Sequence, residues 1–326
     1  MKISIAMAAY NGARYLKEQL DSFVAQIRRP DELVICDDGS SDETVNILRA
    51  FSKQAPFDVH LHCNPENLGY AKNFNKALSL CTGDLVFLSD QDDVWFPDKI
   101  KIIANLAEVD AVNQVFMNDA ELTYGDLRPT GLTKLGQIRT AGMSERAFVM
   151  GCCAAIKAGF LKDALPIPGG YGAHDAWIVD MADGLGKRRV IEKSLQYYRR
   201  HGDNESLFIA NSTRKINRAS YLWHQILSRL NNDSVNTLMQ SSEKLDCLIG
   251  RLKQVHPGKG SGYVTTDKIN KCLTELVCSR DASTMRMEVL RKPRVMRIYP
   301  IAKMFIRGQY KYFLGIKSAL SDVLFN

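Results

Sequence analysis

The chain has 326 residues, of which 45% are hydrophobic and 24% charged, and its formal net charge is +7. These values are typical of a soluble globular protein with one large or two modest domains and a substantial core. No apolar run approaches the roughly 20 residues that span a bilayer. The first residues also lack the charged, apolar and cleavage-site regions of a signal peptide, so the expected location is cytoplasmic.

The positive charge is concentrated near the C-terminal end of the sequence. From Ala282 to Asn326, nine Lys and Arg residues stand against two acidic residues. This surplus of seven equals the net charge of the whole chain, so a basic partner surface is expected in this segment.

Eight cysteines occur at positions 36, 63, 81, 152, 153, 247, 272 and 278, and none forms a Cys-x-x-Cys pair. Most of them lie in apolar runs. This pattern predicts buried free thiols in a reducing compartment.

Segments with strand and helix patterns alternate through the first hundred residues. The sequence predicts strands at 2–9, 32–36, 59–63 and 85–89, of which the first and the last are expected to be buried. Helical spacing predicts helices from Ala13, after Ser40 and over 70–80, and Ser40 with Glu43 fits a capping box. Alternation on this scale predicts βαβ units in a mainly parallel sheet of the nucleotide-binding type.

The pattern is less regular after the first hundred residues. We expect a helix from about Asp98, a strand at 114–118, an irregular loop or small hairpin insertion at 125–144, an apolar segment at 148–156, a helix starting at 174–177 and a final strand at 189–198. Residues 209–230 and 269–278 are expected to be helical, and 256–262 are expected to form a turn or linker.

Three carboxylates, those of Asp90, Asp92 and Asp93, directly follow the apolar run at 85–89. Carboxylates this close raise each other's pKa unless a cation lies among them, and Mg²⁺ or Mn²⁺ is the natural occupant. In open α/β sheets ligands bind at the carboxyl ends of the strands, which is where these residues fall. A solvated acidic turn is the alternative for an isolated Asp-x-Asp.

Neither phosphate-loop fingerprint is present in the sequence. There is no Gly-x-Gly-x-x-Gly after the first strand and no Gly-x-x-x-x-Gly-Lys-Ser/Thr, which argues against a dinucleotide dehydrogenase and a P-loop NTPase. A fold of this kind that handles phosphate therefore needs a metal, for which the three aspartates supply ligands.

Five separated motifs occur along the chain: AMAAYNGARYL, VICDDGSSDET, NLGYAKNFNKAL, FLSDQDDVWFPDK, and HDAW followed by YYRRHGDN. Together they resemble the inverting GT-A-fold glycosyltransferases of family two over about residues 1–205. The DQDDVW form and Asn73-Phe74 are most similar to the bacterial rhamnosyltransferases of surface polysaccharide synthesis.

The resemblance implies an α/β GT-A fold, that is, a Rossmann-like, mainly parallel doubly wound sheet with a helical C-terminal extension. It implies a catalytic domain at 1–205, with a nucleotide-binding half at 1–100 and an acceptor half at 101–205. Residues 206–326 match none of the five motifs and are expected to form a mainly helical, membrane-associating region.

The resemblance also implies a site for the nucleotide sugar. Asp38 matches the carboxylate that accepts from the pyrimidine N3–H, Tyr10 lines the base site and Asp90 contacts the ribose. As an alternative to a role in binding, one of Asp37 and Asp38 would form a helix-capping turn, and Lys72 would be a solvated helix residue. Ala8 and its neighbour stand where many relatives carry a hydroxyl. The assigned residues are Ala8, Tyr10, Asp38, Asn67, Gly69, Lys72, Asp90 and Gln91.

For catalysis, the resemblance implies that Asp175 is the base. Inversion by a single displacement needs one carboxylate to take the proton from the acceptor hydroxyl, although Asp175 at a helix start also fits a cap. His174 and Trp177 are assigned to the acceptor side.

The resemblance implies that Asp92 and His201 bind the metal, Mg²⁺ or Mn²⁺, which would act as a Lewis acid on the leaving nucleoside diphosphate. For His201 a hydrogen-bonded polar residue is the alternative. Asp93 is expected to orient its neighbours rather than to bind the ion.

The implied reaction is metal-dependent transfer of L-rhamnose from dTDP-rhamnose to a glycan, carried on a polyprenyl diphosphate, in bacterial O-antigen, capsule or cell-wall polysaccharide synthesis. The alternatives are a UDP-hexose or UDP-N-acetylhexosamine donor and, in another class, a non-catalytic nucleotide-sugar-binding scaffold.

The segment 282–326 interleaves Lys and Arg with apolar residues. This pattern is typical of a helix in the headgroup region of anionic lipid, which would place the protein peripherally on the inner face of the plasma membrane. The alternative is a packed helix with a solvated basic face. Nucleic acid is not expected as a partner, because no recognised module accompanies the basic residues.

Overall fold

The structure, a computed structural model, describes residues 1–202, 204, 206, 208–231, 234–255 and 264–324. The described residues form two compact units. The first contains Met1–Tyr221 and the second contains Leu222–Val255 and the helices that follow residue 264. Residues 206–221, which the sequence pattern groups with the C-terminal region, thus lie in the first unit. The expected turn or linker at 256–262 falls outside the described residues.

The first four strands form the parallel half of the sheet. They are β1 (Ile3–Ala9), β2 (Glu32–Asp37), β3 (Asp58–Cys63) and β4 (Leu85–Ser89), in the order β3-β2-β1-β4. The helices α1 (Ala13–Val24), α2 (Thr44–Ser52) and α3 (Tyr70–Leu80) connect them. The predicted alternation is therefore confirmed. Strands β1, β2 and β4 are buried on both faces, as parallel strands usually are, whereas β3 at the end of the sheet is only partly buried.

The second half of the sheet is mixed. It contains β5 (Val94–Trp95), β6 (Val115–Tyr124), β7 (Pro129–Thr133), β8 (Ala154–Lys157) and β9 (Arg188–Arg200), with helices α4 (Lys99–Val109), α5 (Lys134–Thr140), α6 (Ala158–Ala164) and α7 (His174–Leu185). The described sheet has nine strands in the order β3-β2-β1-β4-β8-β6-β9-β5, and β7 pairs with β6. Strand β8 runs antiparallel to both neighbours, whereas β6 and β9 are parallel. The expected α/β fold is thus confirmed with a sheet that is parallel only in part.

Residues 125–144 contain the small hairpin that was one of the two predictions for this segment, because β7 pairs antiparallel with β6, and α5 follows it at once. The predicted capping box at Ser40 does not form. The Ser40 hydroxyl donates to Asp37 and accepts from Asn11 N, so α2 begins at Thr44 instead.

The core of the first unit lies between the sheet and its helices. Leu16, Leu20 and Phe23 of α1 pack against strand residues such as Ile5 and Phe87. Their spacing of three and four residues puts them on one helical face, as the sequence pattern predicts.

The C-terminal unit is helical. It contains most of α8 (Arg218–Asn231), then α9 (Ser234–Leu252), α10 (Thr266–Leu290), α11 (Arg294–Ile306) and α12 (Ile316–Leu324). Helix α8 begins nine residues after the predicted start at 209, and the short helix predicted at 269–278 extends over 25 residues. In the described part of the chain, no helix combines the length and the apolar character needed to cross a membrane.

None of the eight cysteines, all of which lie in the described residues, forms a disulfide bond, as predicted. Cys36, Cys152 and Cys153 are buried, but Cys63 and Cys278 are exposed. The prediction of burial is wrong for these two, because β3 is only partly covered and Cys278 lies on an exposed position of α10.

Candidate active site

The parallel register brings three predicted positions to one edge of the sheet. Ala9 is opposite Asp37 on β2, and Met7 is opposite Ser89 on β4. The residues that follow these strands therefore meet at the carboxyl edge, where Tyr10, Asp38 and Asp90 lie. This is the edge at which open α/β sheets bind ligands.

Gln91 ties the ends of β4 and β1 together. Its side-chain amide accepts from Tyr10 N at 2.9 Å and donates to Tyr10 O at 2.8 Å. A Cβ atom on Gly12 would lie 2.1 Å from Gln91 Oε1, so an alanine at position 12 would displace this amide from Tyr10. The Tyr10 ring itself is exposed, as a ring that lines a base site must be.

Asp38 is buried and holds the loop before α3. Its Oδ1 accepts from Asn64 Nδ2 at 2.8 Å and Leu68 N at 2.9 Å, and its Oδ2 accepts from Gly69 N at 2.9 Å. A carboxylate has about four acceptor positions, so one remains for a further donor. Its neighbour Asp37 forms the capping turn that was the alternative for this pair, since it accepts from Gly39 N and Ser40 N.

The other loop residues of the predicted nucleotide site lie beside Asp38. Asn67 Oδ1 accepts from Gly69 N at 3.0 Å, and Gly69 has a φ of +82° that favours glycine. Lys72 is exposed on the first turn of α3. The loop therefore presents one cation and an adaptable turn at the carboxyl edge.

The three clustered aspartates have different surroundings. Asp93 is buried and accepts from Gln196 Nε2 at 2.9 Å and from Arg199 N at 3.2 Å, both on β9. Burial and the nearby carboxylates of Asp92 and Asp90 raise its pKa well above the usual value. These contacts assign Asp93 to holding β9 against the motif.

Asp90 faces the remaining carboxylates of the site. Burial, then Asp92 and Asp175, raise the pKa of Asp90 to about 7. A Cβ atom on Gly151 would lie 3.4 Å from Asp175 Cβ, and the Sγ atom of the next residue, Cys152, lies within 4.8 Å of carboxylate oxygens of Asp90 and Asp93. The predicted base, 85 positions further along the chain, therefore lies near the aspartate cluster. The fold thus places the predicted base near the aspartates that are predicted to bind the metal and the nucleotide.

Asp92 lies against the end of β9. Its Oδ2 is 2.8 Å from His201 Nε2 and accepts from Asn204 Nδ2 at 3.3 Å. An octahedral ion bound at about 2.1 Å places neighbouring ligand atoms about 3 Å apart. The Asp92 carboxylate suits Mg²⁺ or Mn²⁺. The same 2.8 Å distance is that of a hydrogen bond between Asp92 and His201, which is the alternative for His201, so metal binding by His201 stays a prediction.

A second group of metal-ligand atoms consists of Asp90, Asp93 and Cys152, whose donor atoms lie within 4.8 Å of one another. The carboxylate of Asp93 is already engaged by Gln196 and Arg199, and burial raises the pKa of the Cys152 thiol well above its usual value. A neutral thiol is a poor ligand for a hard ion, so the pair of Asp92 and His201 fits the ion better.

The predicted base lies at the start of α7. Asp175 is half-buried in the first helical turn, and its Oδ1 accepts from Ala176 N at 2.8 Å. A Cβ atom on Gly151 would lie 3.4 Å from Asp175 Cβ and 2.7 Å from His174 Nε2. Glycine at position 151 therefore allows the start of α7 to approach β4 and its neighbours.

The two predicted acceptor-side residues differ. His174 is buried and stacks on Phe74 at 3.9 Å between ring centroids, and among the described residues neither ring nitrogen has a hydrogen-bond partner. Burial lowers its pKa. Trp177 is fully buried and its indole N–H donates to Ala164 O at 2.8 Å. Its assignment to the acceptor side is therefore wrong in this conformation, because the ring packs in the core.

Three functional neighbours were missed by the sequence analysis: Lys99, Gln196 and Arg199. Lys99 is fully buried beneath the cluster, where Nζ donates to Cys152 O at 2.9 Å and to Gln196 Oε1. Burial lowers its pKa to about 8. Arg199 donates to Asp92 O at 2.8 Å. Lys99 stands in the motif FLSDQDDVWFPDK, but no local pattern shows that it is buried.

The sequence model of Glycosyl transferase family 2 matches residues 4–165. Over these residues the chain resembles the family 2 glycosyltransferases. Asp175, Gln196, Arg199 and His201 lie outside the matched range, so the candidate site combines residues of the matched range with residues that follow it.

Several relatives and solved structures resemble the chain. An uncharacterised glycosyltransferase of Nostoc sp. is 28% identical over 243 residues, which are 72% of this chain and 75% of that protein. The dTDP-rhamnosyl transferase RfbG of Shigella flexneri is 38% identical over 99 residues, 29% of this chain and 34% of that protein. The crystal structure of S. aureus TarS residues 1–349 in complex with UDP is 14% identical with a TM-score of 0.59, covering 99% of this chain and 89% of that one. This last likeness confirms the GT-A type of fold.

Proposed function

We propose that the protein is an inverting, metal-dependent glycosyltransferase that uses a nucleotide-sugar donor. The observation that carries the proposal is the meeting of two groups at one edge of the sheet. One is the half-buried Asp175 at the start of α7, and the other is the pair of Asp92 and His201, 2.8 Å apart. A base and an ion site on opposite sides of a sugar are what a single displacement with inversion requires.

The chain's own residues bind and orient the donor. The exposed Tyr10 ring offers a face to the base, and Asp38 offers its remaining acceptor position to the pyrimidine N3–H. Asn67, Gly69 and Lys72 close over the diphosphate, where the Lys72 cation offsets negative charge. Ala8 and Gln91 shape the strand ends, and Asp90 accepts from the ribose. The carboxylate of Asp175 takes the proton from the attacking hydroxyl, and His174 positions the acceptor.

Asp92 and His201 would hold the Mg²⁺ or Mn²⁺ ion. When bound, the ion supplies Lewis-acid stabilisation of the leaving nucleoside diphosphate. Asp93, Gln196 and Lys99 keep the two ligands in place, because they connect the aspartate motif to β9 through buried hydrogen bonds.

The donor we propose is dTDP-L-rhamnose. The support is the 38% identity to the dTDP-rhamnosyl transferase RfbG over 99 residues. A UDP-hexose or UDP-N-acetylhexosamine is the second candidate, favoured by the UDP-bound structure of TarS. The acceptor we propose is a glycan on a polyprenyl diphosphate, in O-antigen, capsule or cell-wall polysaccharide synthesis. We assign the protein to the cytoplasmic side of the plasma membrane.

The first test measures binding of dTDP, UDP, GDP and CMP by thermal shift, each with Mn²⁺, with Mg²⁺ and with EDTA. A ligand at a hundredfold excess over Kd stabilises by about 2.7 kcal/mol, which is easily measured. A metal-dependent shift that is largest with dTDP is expected. A preference for UDP would replace the donor, and no shift with any nucleotide would refute the assigned site.

The second test separates catalysis from binding. Asp175→Asn is expected to keep the nucleotide-dependent thermal shift and to lose transfer by at least about 100-fold. Asp58→Asn, at an exposed position of β3, is the matched control and is expected to transfer normally. Full transfer by Asp175→Asn would refute the assigned base. Binding without transfer in the wild type, with every candidate donor and acceptor, would favour the non-catalytic scaffold.

A further inference from the structure

Residues 289–321 contain no Asp or Glu. Of the two flanking acidic residues, Glu288 is exposed on α10, and Asp322 is buried and already paired with Arg286, whose Nε and Nη2 donate to it at 2.7 Å. Seven basic residues of this segment are exposed: Arg291, Lys292, Arg294, Lys303, Arg307, Lys311 and Lys317. The surface of the segment is therefore positive with no internal counter-charge.

Helix α11, within this segment, is apolar on two faces. One face, with Ile301 and Met304, packs in the core of the C-terminal unit. Four apolar residues, at intervals of four, three and four, occupy the other face, which we call the α11 stripe: Val295, Tyr299, Ala302 and Ile306. Residues at this spacing share one side of a helix.

The α11 stripe is open to solvent. Val295 and Ile306 are each 84% exposed and Tyr299 is 75% exposed. Ala302 is exposed as well. Packing among the described residues leaves these side chains largely open to solvent. The helix, about 20 Å long, places them beside the exposed Arg294, Lys303 and Arg307. A contiguous apolar surface with a charged rim is typical of an interaction site.

We propose that the α11 stripe lies in the headgroup region of an anionic lipid bilayer, with the surrounding Lys and Arg on lipid phosphates. An anionic bilayer matches both properties of the surface, since it takes up apolar side chains and attracts cations. A second copy of the chain would bring seven exposed cations against seven others. Nucleic acid would contact the cations and leave the apolar stripe in water. The proposal rests on the assigned membrane location and not on the transfer reaction.

The test is co-sedimentation of the full-length chain with vesicles of phosphatidylglycerol and phosphatidylcholine, and with phosphatidylcholine alone. Binding to the anionic vesicles that weakens in 0.5 M salt is expected. The triple variant Val295→Ser, Tyr299→Ser, Ile306→Ser is expected to lose at least about tenfold in partitioning. The triple variant Arg294→Gln, Lys303→Gln, Arg307→Gln is expected to lose about 100-fold, at roughly fivefold for each charge.

The matched control replaces three exposed apolar residues outside this segment, as Ile27→Ser, Val109→Ser, Val112→Ser. Their exposures are 64%, 81% and 58%, and the control is expected to bind vesicles like the wild type. Transfer to a soluble acceptor is expected to persist in the stripe variant, so a failure of vesicle binding is distinct from a failure of the proposed reaction.

Three results would overturn the proposal. The first is a wild-type chain that does not bind anionic vesicles at low salt. The second is a stripe variant that binds them as well as the wild type. The third is a stripe variant that loses self-association in analytical ultracentrifugation while vesicle binding is unchanged, which would assign the stripe to a second copy.

Discussion

The contact between Gly12 and Gln91 allows a quantitative test of how the edge of the sheet is held. In Gly12→Ala the new Cβ would lie 2.1 Å from Gln91 Oε1 and 2.3 Å from Gln91 Cδ. The amide must leave its place and give up both hydrogen bonds to Tyr10. At about 1 kcal/mol for each bond, the free energy of unfolding should fall by about 2 kcal/mol. The backbone itself adds no strain, because φ at Gly12 is −103°.

A double-mutant cycle measured by urea unfolding checks this reasoning. Gln91→Ala removes the same two hydrogen bonds and should also cost about 2 kcal/mol. Because the clash disappears with the Gln91 side chain, the variant with both changes should be no less stable than Gln91→Ala alone. The expected coupling energy is therefore about 2 kcal/mol.

The control for this cycle is Gly170→Ala, where a Cβ would meet nothing within 4 Å; its stability should stay within about 0.5 kcal/mol of the wild type. Additive losses in the double variant would refute the argument, since they would mean that Gly12 and Gln91 act independently. Since Tyr10 lines the proposed base site, each variant of the cycle should also show a smaller nucleotide-dependent thermal shift.

Three further predictions concern buried or ligand groups. Lys99→Met should lower the free energy of unfolding by about 3 kcal/mol, because it leaves buried acceptors without their donor. The control is Lys101→Met, at an exposed position of α4. Equal urea midpoints for the two variants would contradict the prediction. Burial raises the pKa of Glu32, but hydrogen bonds to its carboxylate outweigh burial and lower it from 4.5 to about 2. The carboxylate therefore stabilises the fold fully above about pH 4.5 and loses this contribution as the pH falls towards 2. Glu32→Gln should thus lower the free energy of unfolding by about 2 kcal/mol at pH 7, and this loss should become smaller as the pH falls. A loss that does not change with pH would contradict the prediction. His201→Ala should weaken Mn²⁺-dependent nucleotide binding about tenfold or more, as measured by calorimetry. The control variant His60→Ala, on β3, should bind like the wild type. If the metal dependence of binding is unchanged in His201→Ala, then His201 is not a ligand of the ion.

The sequence predicts the parallel half of the fold well because each of its elements is locally encoded. The buried strands are short apolar runs, and the helix over 70–80 has its predicted bounds. Residues 129–140 could be predicted only as a loop or a small hairpin, for the opposite reason. The hairpin strand β7 exists because it pairs with β6, and Gly131 and Gly136 within these residues resemble loop residues in the sequence.

The site divides in the same way. Asp90 and Asp92 are local signals, because three carboxylates after an apolar run are unusual. Their partners are not local. Gln196 reaches Asp93 from 103 positions away, and His201 reaches Asp92 from 109 positions away. Only the pairing of β9 with its neighbours decides these contacts, so residue patterns alone leave Gln196 and Arg199 among ordinary strand residues.

The dependence of the aspartate motif on β9 has a practical consequence for fragments of this protein. The family match ends at residue 165, yet a truncation there would delete the hydrogen-bond donors of Asp93 and the neighbours of Asp92, which lie at 196–204. The buried carboxylate of Asp93 would then have no donor from β9. Such a fragment is expected to be unstable as well as inactive, and the shortest useful one must extend beyond Asn204.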